Sequence, residues 1–194
     1  WTDNQRTELA IWEFSYPVGV LIFEAGGVKI GFEICEDAWI ANRPGRSLYL
    51  QGVDIILNPT ASHFAFFKTQ TRERLVQDGS RAFGVAYIYA NLLGNEAGRA
   101  IFDGDAMVAQ AGEMLVSGTR FSYRDFYLTP AVIDLDKVSL EQVQNRLTFS
   151  GTSQKVPFLY DFPPIKPIKQ RFELEHWEAK GFQKEEEFAR AIAL

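Results

Sequence analysis

Two short apolar segments on either side of a long amphipathic one constrain the fold of this chain more than any other feature of its sequence. Residues 53–57 and 85–90 are short and mostly apolar, as buried strands are. Residues 66–83 between them have the length of a helix of about five turns. A strand, a helix and a second strand in this order form a parallel crossover. The sequence therefore predicts an α/β fold.

Further elements are predicted on both sides of this crossover. Residues 18–23 and 28–35 flank a glycine-rich turn and predict a hairpin. Three more strands are predicted at 106–110, 113–116 and 131–135. Two short helices are predicted at 47–51 and 138–147. Residues 151–169 contain four prolines without a sustained period, which is typical of a linker or arm. Residues 173–194 are charged and are predicted to be helical.

The long helix at 66–83 is expected to bury one side. Four apolar residues are expected on its core side: Leu75, Val76, Ala82 and Phe83. The heads of its charged residues are expected to reach solvent: Lys68, Arg72, Glu73 and Arg74. A helix that packs one of its faces against a sheet usually has apolar residues on that face and charged residues on the other.

Composition and charge argue against several classes of protein. A net charge of −5 gives no support to nucleic-acid binding. No apolar run approaches the ~20 residues that span a bilayer, and no segment has the pattern of a signal peptide. One cysteine cannot form an internal disulfide, and the two histidines, His63 and His176, give no zinc-site spacing. A cytoplasmic protein without a membrane partner or a metal site in this segment is expected.

The single cysteine, Cys35, is the leading candidate for chemistry. It follows the strand pattern that starts at Val28, and two carboxylates, Glu36 and Asp37, come directly after it. Side chains at the carboxyl end of a strand often face a pocket, and a thiolate is a strong nucleophile near a cation or base. A lone cysteine is also among the most buried residue types, so an inert buried side chain is the alternative.

The residues around Cys35 carry a family resemblance. Residues 31–39, Gly-Phe-Glu-Ile-Cys-Glu-Asp-Ala-Trp, resemble the nucleophile segment of the nitrilase superfamily, and more narrowly that of the glutaminase domains of glutamine-dependent NAD+ synthetases. The resemblance covers residues 14–137 almost continuously. Its other matching segments are 56–62, 86–91 and 102–107, and residues 184–194 are similar to the first helix of the synthetase domain.

This resemblance implies a nitrilase-like αββα sandwich, present in part, with a C-terminal proline-rich arm and helix. Residues 1–150 would be the C-terminal part of a nitrilase-type glutaminase domain, residues 151–172 a linker or arm, and residues 173–194 the start of the synthetase domain. The first strands and helices of the sandwich would precede this segment. Strands near Val20 and Ile56 are therefore expected to have an uncovered flank.

The resemblance also implies the activity of a two-domain parent enzyme. Hydrolysis of L-glutamine would supply ammonia for the ATP-dependent amidation of deamido-NAD+ to NAD+. ATP and magnesium would belong to the synthetase domain that this segment lacks, and no cofactor is expected here. A homo-oligomer without a nucleic-acid partner is the expected assembly.

Roles around Cys35 follow from the same resemblance. Cys35 would attack the carboxamide of glutamine, the main-chain N–H of Glu36 would stabilise the oxyanion, and Ser62 and Lys68 would line the substrate pocket. The glutamate base and the lysine of the family lie upstream of this segment, so the chain would carry one-third of the triad. Glu33 shares the strand face of Cys35 and is expected to have a structural role.

Three other functions remain open at the level of sequence. The first is another carbon–nitrogen hydrolase of the nitrilase superfamily, such as an amidase or a carbamoylase. The second is a hydrolase with a Cys35–His63 dyad, which requires the two side chains to lie within hydrogen-bond reach. The third is an inactive nitrilase-like scaffold.

Overall fold

The described residues of the computed structural model form one seven-stranded sheet, two two-stranded sheets and four α-helices. The structure describes residues 7–96, 98–144, 153–166, 168, 174–179 and 181–194. The strands are β1 (Thr7–Ile11), β2 (Phe14–Val18), β3 (Ile22–Ala25), β4 (Val28–Phe32), β5 (Ile55–Thr60), β6 (Ala86–Asn91), β7 (Leu93–Glu96), β8 (Ala100–Asp103), β9 (Ala106–Gln110), β10 (Glu113–Ser117) and β11 (Lys155–Phe158). The helices are α1 (Pro44–Leu50), α2 (Lys68–Phe83), α3 (Leu135–Gln144) and α4 (Gln183–Ala193), with a short 3-10 helix at Cys35–Trp39.

The main sheet has the strand order β10-β9-β6-β5-β4-β3-β11. Its centre is parallel, because β4 pairs with β5 and β5 with β6 in the same direction. The neighbouring pairs β3–β4, β6–β9 and β9–β10 are antiparallel, and β11 pairs with β3 in parallel. Helix α2 makes the crossover from β5 to β6, so the α/β fold and its crossover are confirmed. The carboxyl ends of β4, β5 and β6 consequently meet at one edge of the sheet.

One face of the sheet is covered by α1 and α2, which also contact each other. The core between helices and sheet is built from Leu48, Ile56, Val76, Tyr87 and Ala109, all of which are fully buried. Because successive strand residues point to opposite faces, the neighbours of Ile56 face the other way. That other face carries partly exposed apolar residues: Phe23, Ile30, Phe32, Ile55, Leu57 and Ile88. The expected uncovered flank therefore lies opposite Ile56, while Ile56 itself is buried.

The predicted elements are confirmed for the hairpins at β3–β4 and β9–β10 and for α1, β5 and β6. The prediction of a strand at 131–135 is wrong, because this segment leads into α3. The Asp134 side chain accepts the N–H groups of Asp136 and Lys137 at 3.0 and 3.1 Å. A capping aspartate of this kind starts a helix, so α3 begins three residues before the predicted position.

Helix α2 begins at Lys68, and its buried side differs in part from the prediction. Val76 is buried and Phe83 is half-buried, as expected. Ala82 is exposed, and Arg72 is fully buried instead of reaching solvent. Gly84 ends the helix in a left-handed conformation, with φ of +56°.

The C-terminal part of the described chain is helical only in α4. Residues 176–179 form a turn before it, so the prediction of helix over the whole of 173–194 is wrong for this portion. Among the described residues, no helix combines the length and the apolar content that a membrane span requires.

Candidate active site

Cys35 lies three residues beyond the end of β4, at the start of the short 3-10 helix. Its φ is +51°, a left-handed conformation that costs a non-glycine residue about 1–3 kcal/mol. Asp37 fixes the turn, because its carboxylate accepts the N–H of Ile34 and its own N–H donates to the Ile34 carbonyl, both at 3.0 Å. A nucleophile on a tight, strained turn after a strand is presented at the edge of the sheet.

The surroundings of the half-buried Cys35 thiol favour its ionised form. The main-chain amide of Ala61 and the hydroxyl of Thr60, at the end of β5, lower the pKa of the thiol. Burial raises this pKa, the Glu36 amide lowers it, and the Glu36 carboxylate raises it by the smallest amount. Since the thiolate is the nucleophilic form, the lowered pKa favours attack near neutral pH.

Ser62 belongs to the pocket loop, residues 61–67, which connects β5 to α2. Its N–H donates to Asn91 Oδ1 at 2.8 Å, and its carbonyl accepts Asn91 Nδ2 at 3.0 Å. Asn91 ends β6, so two adjacent parallel strands fix this part of the loop. The Ser62 side chain is buried next to Arg72, and its role toward a substrate stays a prediction.

Lys68 and Glu36 both interact electrostatically with the thiol. Lys68 Nζ donates to the His63 carbonyl at 2.9 Å. Burial lowers the pKa of Lys68, the neighbouring Arg72 lowers it further, and Asp103 and Cys35 oppose this. The ammonium therefore lies within electrostatic range of the thiol, while the Glu36 residue is exposed. Their binding roles stay predictions.

Glu33 has the structural role expected from the sequence. Its carboxylate is fully buried and accepts Arg43 Nε at 2.8 Å, the Gly45 N–H at 2.7 Å and the Tyr87 hydroxyl at 2.6 Å, besides a second bond from Arg43. A carboxylate with four donors anchors α1 to the sheet and has little capacity to act as a mobile base.

His63 contributes its backbone to the site. Its carbonyl accepts Lys68 Nζ and, at 3.2 Å, Arg72 Nη2, whereas the residue as a whole is exposed. The groups that shift the pKa of Cys35 are Ala61, Thr60 and Glu36. The structure therefore gives no support to a Cys35–His63 dyad.

A buried pair of arginines near the pocket loop was missed by the sequence prediction. Arg72 donates to both oxygens of Asp103 at 2.8 and 2.9 Å and to the Ser62 carbonyl at 2.8 Å. Arg120 donates to the same Asp103 at 3.1 Å. The spacing of Arg72 between Thr69 and Val76 was the available signal, because it puts the arginine on the buried side of α2.

Comparison with known proteins identifies the family. A family model described as carbon-nitrogen hydrolase matches residues 1–139. The chain belongs to the carbon-nitrogen hydrolase family.

Several relatives of this chain are enzymes whose own chains are much longer. A putative glutamine-dependent NAD(+) synthetase from Schizosaccharomyces pombe is 34% identical over 138 residues, which is 71% of this chain and 20% of the relative. A glutamine-dependent NAD(+) synthetase from Mus musculus is 32% identical over 147 residues, again 71% and 20%. This chain thus spans about a fifth of the length of these curated relatives.

Solved structures give the same result for the fold. The crystal structure of a glutamine-dependent NAD(+) synthetase from Cytophaga hutchinsonii matches with a TM-score of 0.57 and 41% identity, over 64% of this chain and 20% of that one. A carbon-nitrogen hydrolase from Helicobacter pylori G27 matches with a TM-score of 0.54 and 21% identity, over 67% and 48%, which is evidence for the fold alone.

The predicted fold class, a nitrilase-like α/β sandwich present in part, is confirmed. An αββα sandwich has two sheets that pack face to face, each covered by helices on its outer side. In this carbon-nitrogen hydrolase chain the described residues form one such sheet and its helix layer, α1 and α2. The apolar face opposite these helices is the side on which a second sheet packs in such a sandwich.

Proposed function

We propose that this chain is the thiol-bearing part of a glutaminase and that Cys35 attacks the side-chain carboxamide of L-glutamine. The observation that supports this most is the strained turn at Cys35, where the Ala61 amide and the Thr60 hydroxyl lower the pKa of the thiol. Glutamine is the proposed substrate because the relatives are named glutamine-dependent NAD(+) synthetases.

The proposed reaction has two steps. The Cys35 thiolate adds to the carboxamide carbon, the carbon–nitrogen bond breaks, and ammonia leaves after it gains a proton. Water then hydrolyses the γ-glutamyl thioester to glutamate and frees the thiol. The Glu36 N–H is the proposed donor to the oxyanion, and such a donor lowers the activation free energy by about 3 kcal/mol. Ser62 and the ammonium of Lys68 are proposed to hold the amino-acid end of the substrate.

The proton shuttle is proposed to come from outside this segment. Glu33 is occupied by its four donors, and Lys68 is held by the His63 carbonyl. The glutamate and the lysine that complete the triad in this family are therefore assigned to residues upstream of Trp1. With them, a general base near the sulfur would take the thiol proton and return it to ammonia.

The proposed parent enzyme has two domains. Residues 1–150 belong to the glutaminase domain, 151–172 to a linker or arm whose strand β11 pairs with β3, and 173–194 to the start of the synthetase domain, which receives the ammonia and amidates deamido-NAD+. ATP and magnesium, which the family resemblance implies, are assigned to that synthetase domain. A homo-oligomer in the cytoplasm belongs to the same proposal.

Replacement of Cys35 in the full-length protein tests this function. We expect Cys35→Ala to abolish NAD+ synthesis from glutamine and to leave synthesis from free ammonia near the wild-type rate, because only the first domain loses its nucleophile. His63→Ala is the control, and it should retain both activities. Glutamine-dependent turnover by Cys35→Ala would refute the nucleophile. Faster hydrolysis of simple aliphatic amides than of glutamine would indicate an amidase instead.

A further inference from the structure

Four fully buried charged side chains connect the pocket loop to helix α4. The buried ion network consists of Arg72, Asp103, Arg120 and Glu187, each at most 1% exposed. Asp103 accepts from both arginines, and Arg120 Nη2 donates to Glu187 Oε1 at 2.9 Å. The network therefore runs without a break from α2 to α4.

At one end the network holds the main chain of the pocket loop. Arg72 Nη2 donates to the carbonyls of Ser62 and His63 at 2.8 and 3.2 Å. Ser62 directly follows Ala61, whose amide stabilises the Cys35 thiolate. A displacement of Arg72 therefore moves the backbone next to Ala61, the residue whose amide lowers the pKa of Cys35 most.

At the other end the network depends on the C-terminal segment, residues 174–194. Arg120 has three carboxylate partners, and two of them, Glu178 and Glu187, belong to this segment. Glu187 also accepts the N–H of Phe67, the last residue of the pocket loop, at 3.4 Å. Helix α4 thus contacts the loop both through Arg120 and directly.

An apolar cluster packs the same segment against the loop. Trp177 and Ala191 pack with Phe121, and the Phe121 ring lies 5.3 Å from that of Phe64 in a T-shaped arrangement. Phe64 belongs to the pocket loop. Helix α4 and the pocket loop therefore pack against the same apolar cluster. Because the cluster is tightly packed, a shift of α4 is expected to shift the loop.

The shared carboxylate of Asp103 explains how a change at α4 reaches the thiol. A buried guanidinium that loses a partner is strongly destabilised. If Glu187 were removed, Arg120 would compensate by drawing on Asp103, whose Oδ2 already accepts Arg72 at 2.9 Å and Arg120 at 3.1 Å. Arg72 would then lose part of its anchor and, with it, its hold on the Ser62 carbonyl.

We propose that Arg120 and Glu187 are positioning residues for Cys35, because they fix the pocket loop through Arg72 when α4 is docked. The consequence for catalysis rests on the proposed glutaminase function, whereas the consequence for the thiol itself does not. The experiment therefore measures both.

The test compares Glu187→Gln with Glu186→Gln in the full-length protein. Glu186 lies on the same helix but is only partly buried, and among the described residues its carboxylate forms an ion pair with Arg190, at 3.2 Å. The readout is the pH midpoint of Cys35 alkylation by iodoacetamide, followed by mass spectrometry in the tryptic peptide 30–46. We expect Glu187→Gln to raise the midpoint by roughly half a unit, with about threefold slower alkylation at neutral pH, and Glu186→Gln to leave it unchanged.

The direction of the shift separates positioning from simple charge removal. Loss of a nearby negative charge alone favours the thiolate and lowers the midpoint, whereas loss of the pKa-lowering effect of Ala61 and Thr60 raises it. Arg120→Lys, which keeps the charge but loses the planar fork, should give an intermediate rise. An unchanged or lowered midpoint in Glu187→Gln or Arg120→Lys overturns the proposal, even if the unfolding temperature falls.

Glutamine hydrolysis supplies the second readout. We expect kcat in Glu187→Gln to fall roughly tenfold or more, because small misplacement of a reacting group is costly. Should Glu187→Gln fail to fold, Glu178→Gln, which removes the other carboxylate of the segment, takes its place with the same expectations. A raised midpoint without glutamine hydrolysis in the wild type would refute the glutaminase function and retain the positioning role.

Discussion

Charged side chains at the core of this chain are stabilised by one another and by backbone groups. Glu33 with Arg43 anchors α1, and Asp103 with its two arginines anchors the pocket loop. Removal of one partner from such a pair leaves an uncompensated buried charge, which costs about 3–5 kcal/mol. These residues are therefore the least tolerant of substitution by neutral ones.

Asp105 differs from these residues because its burial is poorly compensated. Its Oδ1 accepts the Ser117 hydroxyl at 3.1 Å, and its Oδ2 has no hydrogen-bond partner among the described residues. Burial raises the pKa of Asp105 to about 7, Asp103 raises it too, and Arg120 and Arg72 oppose the shift. The folded protein thus holds this proton more tightly than the unfolded chain.

The residue-scale prediction is that the Asp105→Asn variant gains stability relative to the wild type as pH rises. Between the ordinary pKa of 3.8 and about 7, the native state binds more protons at Asp105 than the unfolded state, so wild-type stability falls with increasing pH. Asparagine tolerates the φ of +85° and carries no charge to bury. The unfolding temperature of the variant minus that of the wild type should grow from pH 4 to 7 and level off above.

An exposed aspartate provides the control for this measurement. Asp125→Asn, in the loop after β10, should give a temperature difference that stays nearly constant over the same range. A constant difference for Asp105→Asn as well would mean that Asp105 titrates normally.

At the scale of elements, the contact between α1 and β4 is closer than a side chain on β4 allows. A Cβ at Gly31 would lie 2.6 Å from Leu48 Cδ2, and Leu48 is fully buried. The approach of α1 also brings the Gly45 N–H to Glu33. Glycine in the strand is therefore required by packing at this point.

The element-scale prediction is that Gly31→Ala destabilises the protein by about 1–3 kcal/mol, because the added methyl overpacks the α1–β4 contact. Gly181→Ala is the matched control, since a Cβ there meets nothing within 4 Å, and it should change stability by less than about 0.5 kcal/mol. Equilibrium unfolding in urea measures both. Equal stability of the two variants would show that α1 moves away without cost.

At the scale of the whole molecule, the apolar face opposite α1 and α2 dominates the behaviour expected of the isolated chain. Phe32 is 36% exposed although it lies in a central strand of the sheet, and its ring packs edge-on against Phe23 at 5.4 Å. Exposed apolar residues on adjacent strands form a contiguous surface, and such surfaces promote association.

The whole-molecule prediction is that residues 1–194, expressed alone, show no glutaminase activity and aggregate. The segment carries one candidate group of the triad, and loss of groups that act together removes nearly all catalysis. Light scattering and an ammonia-release assay check the two parts. A monomeric 194-residue chain that releases ammonia from glutamine at the parent's rate would contradict the prediction.

A polar substitution identifies the surface responsible. Phe32→Gln on the open face should reduce aggregation of the isolated chain, because it removes exposed apolar surface. Ile56→Gln on the opposite, fully buried face of the neighbouring strand should instead unfold it.

The sequence by itself determined the fold class, the crossover through α2 and the segment that holds Cys35. Apolar runs of strand length around a long amphipathic helix are local patterns, and they leave few arrangements other than a parallel pair with a crossover. The residues around Cys35 resemble one family closely enough to predict the fold, which the comparisons confirm. The prediction at 131–135 was wrong because the capping bonds of Asp134 competed with strand propensity.

Only the tertiary structure decided which charged side chains pair with each other in the interior. Arg72, Asp103, Arg120 and Glu187 are far apart in sequence, and each is ordinary for an exposed position. Their burial is stable only because the fold brings opposite charges within about 3 Å of each other, a condition that no local pattern encodes. The same holds for the thiol. Its pKa is lowered most by the Ala61 amide and the Thr60 hydroxyl, which lie at the end of β5 and directly after it, close to Cys35 in space and distant from it along the chain.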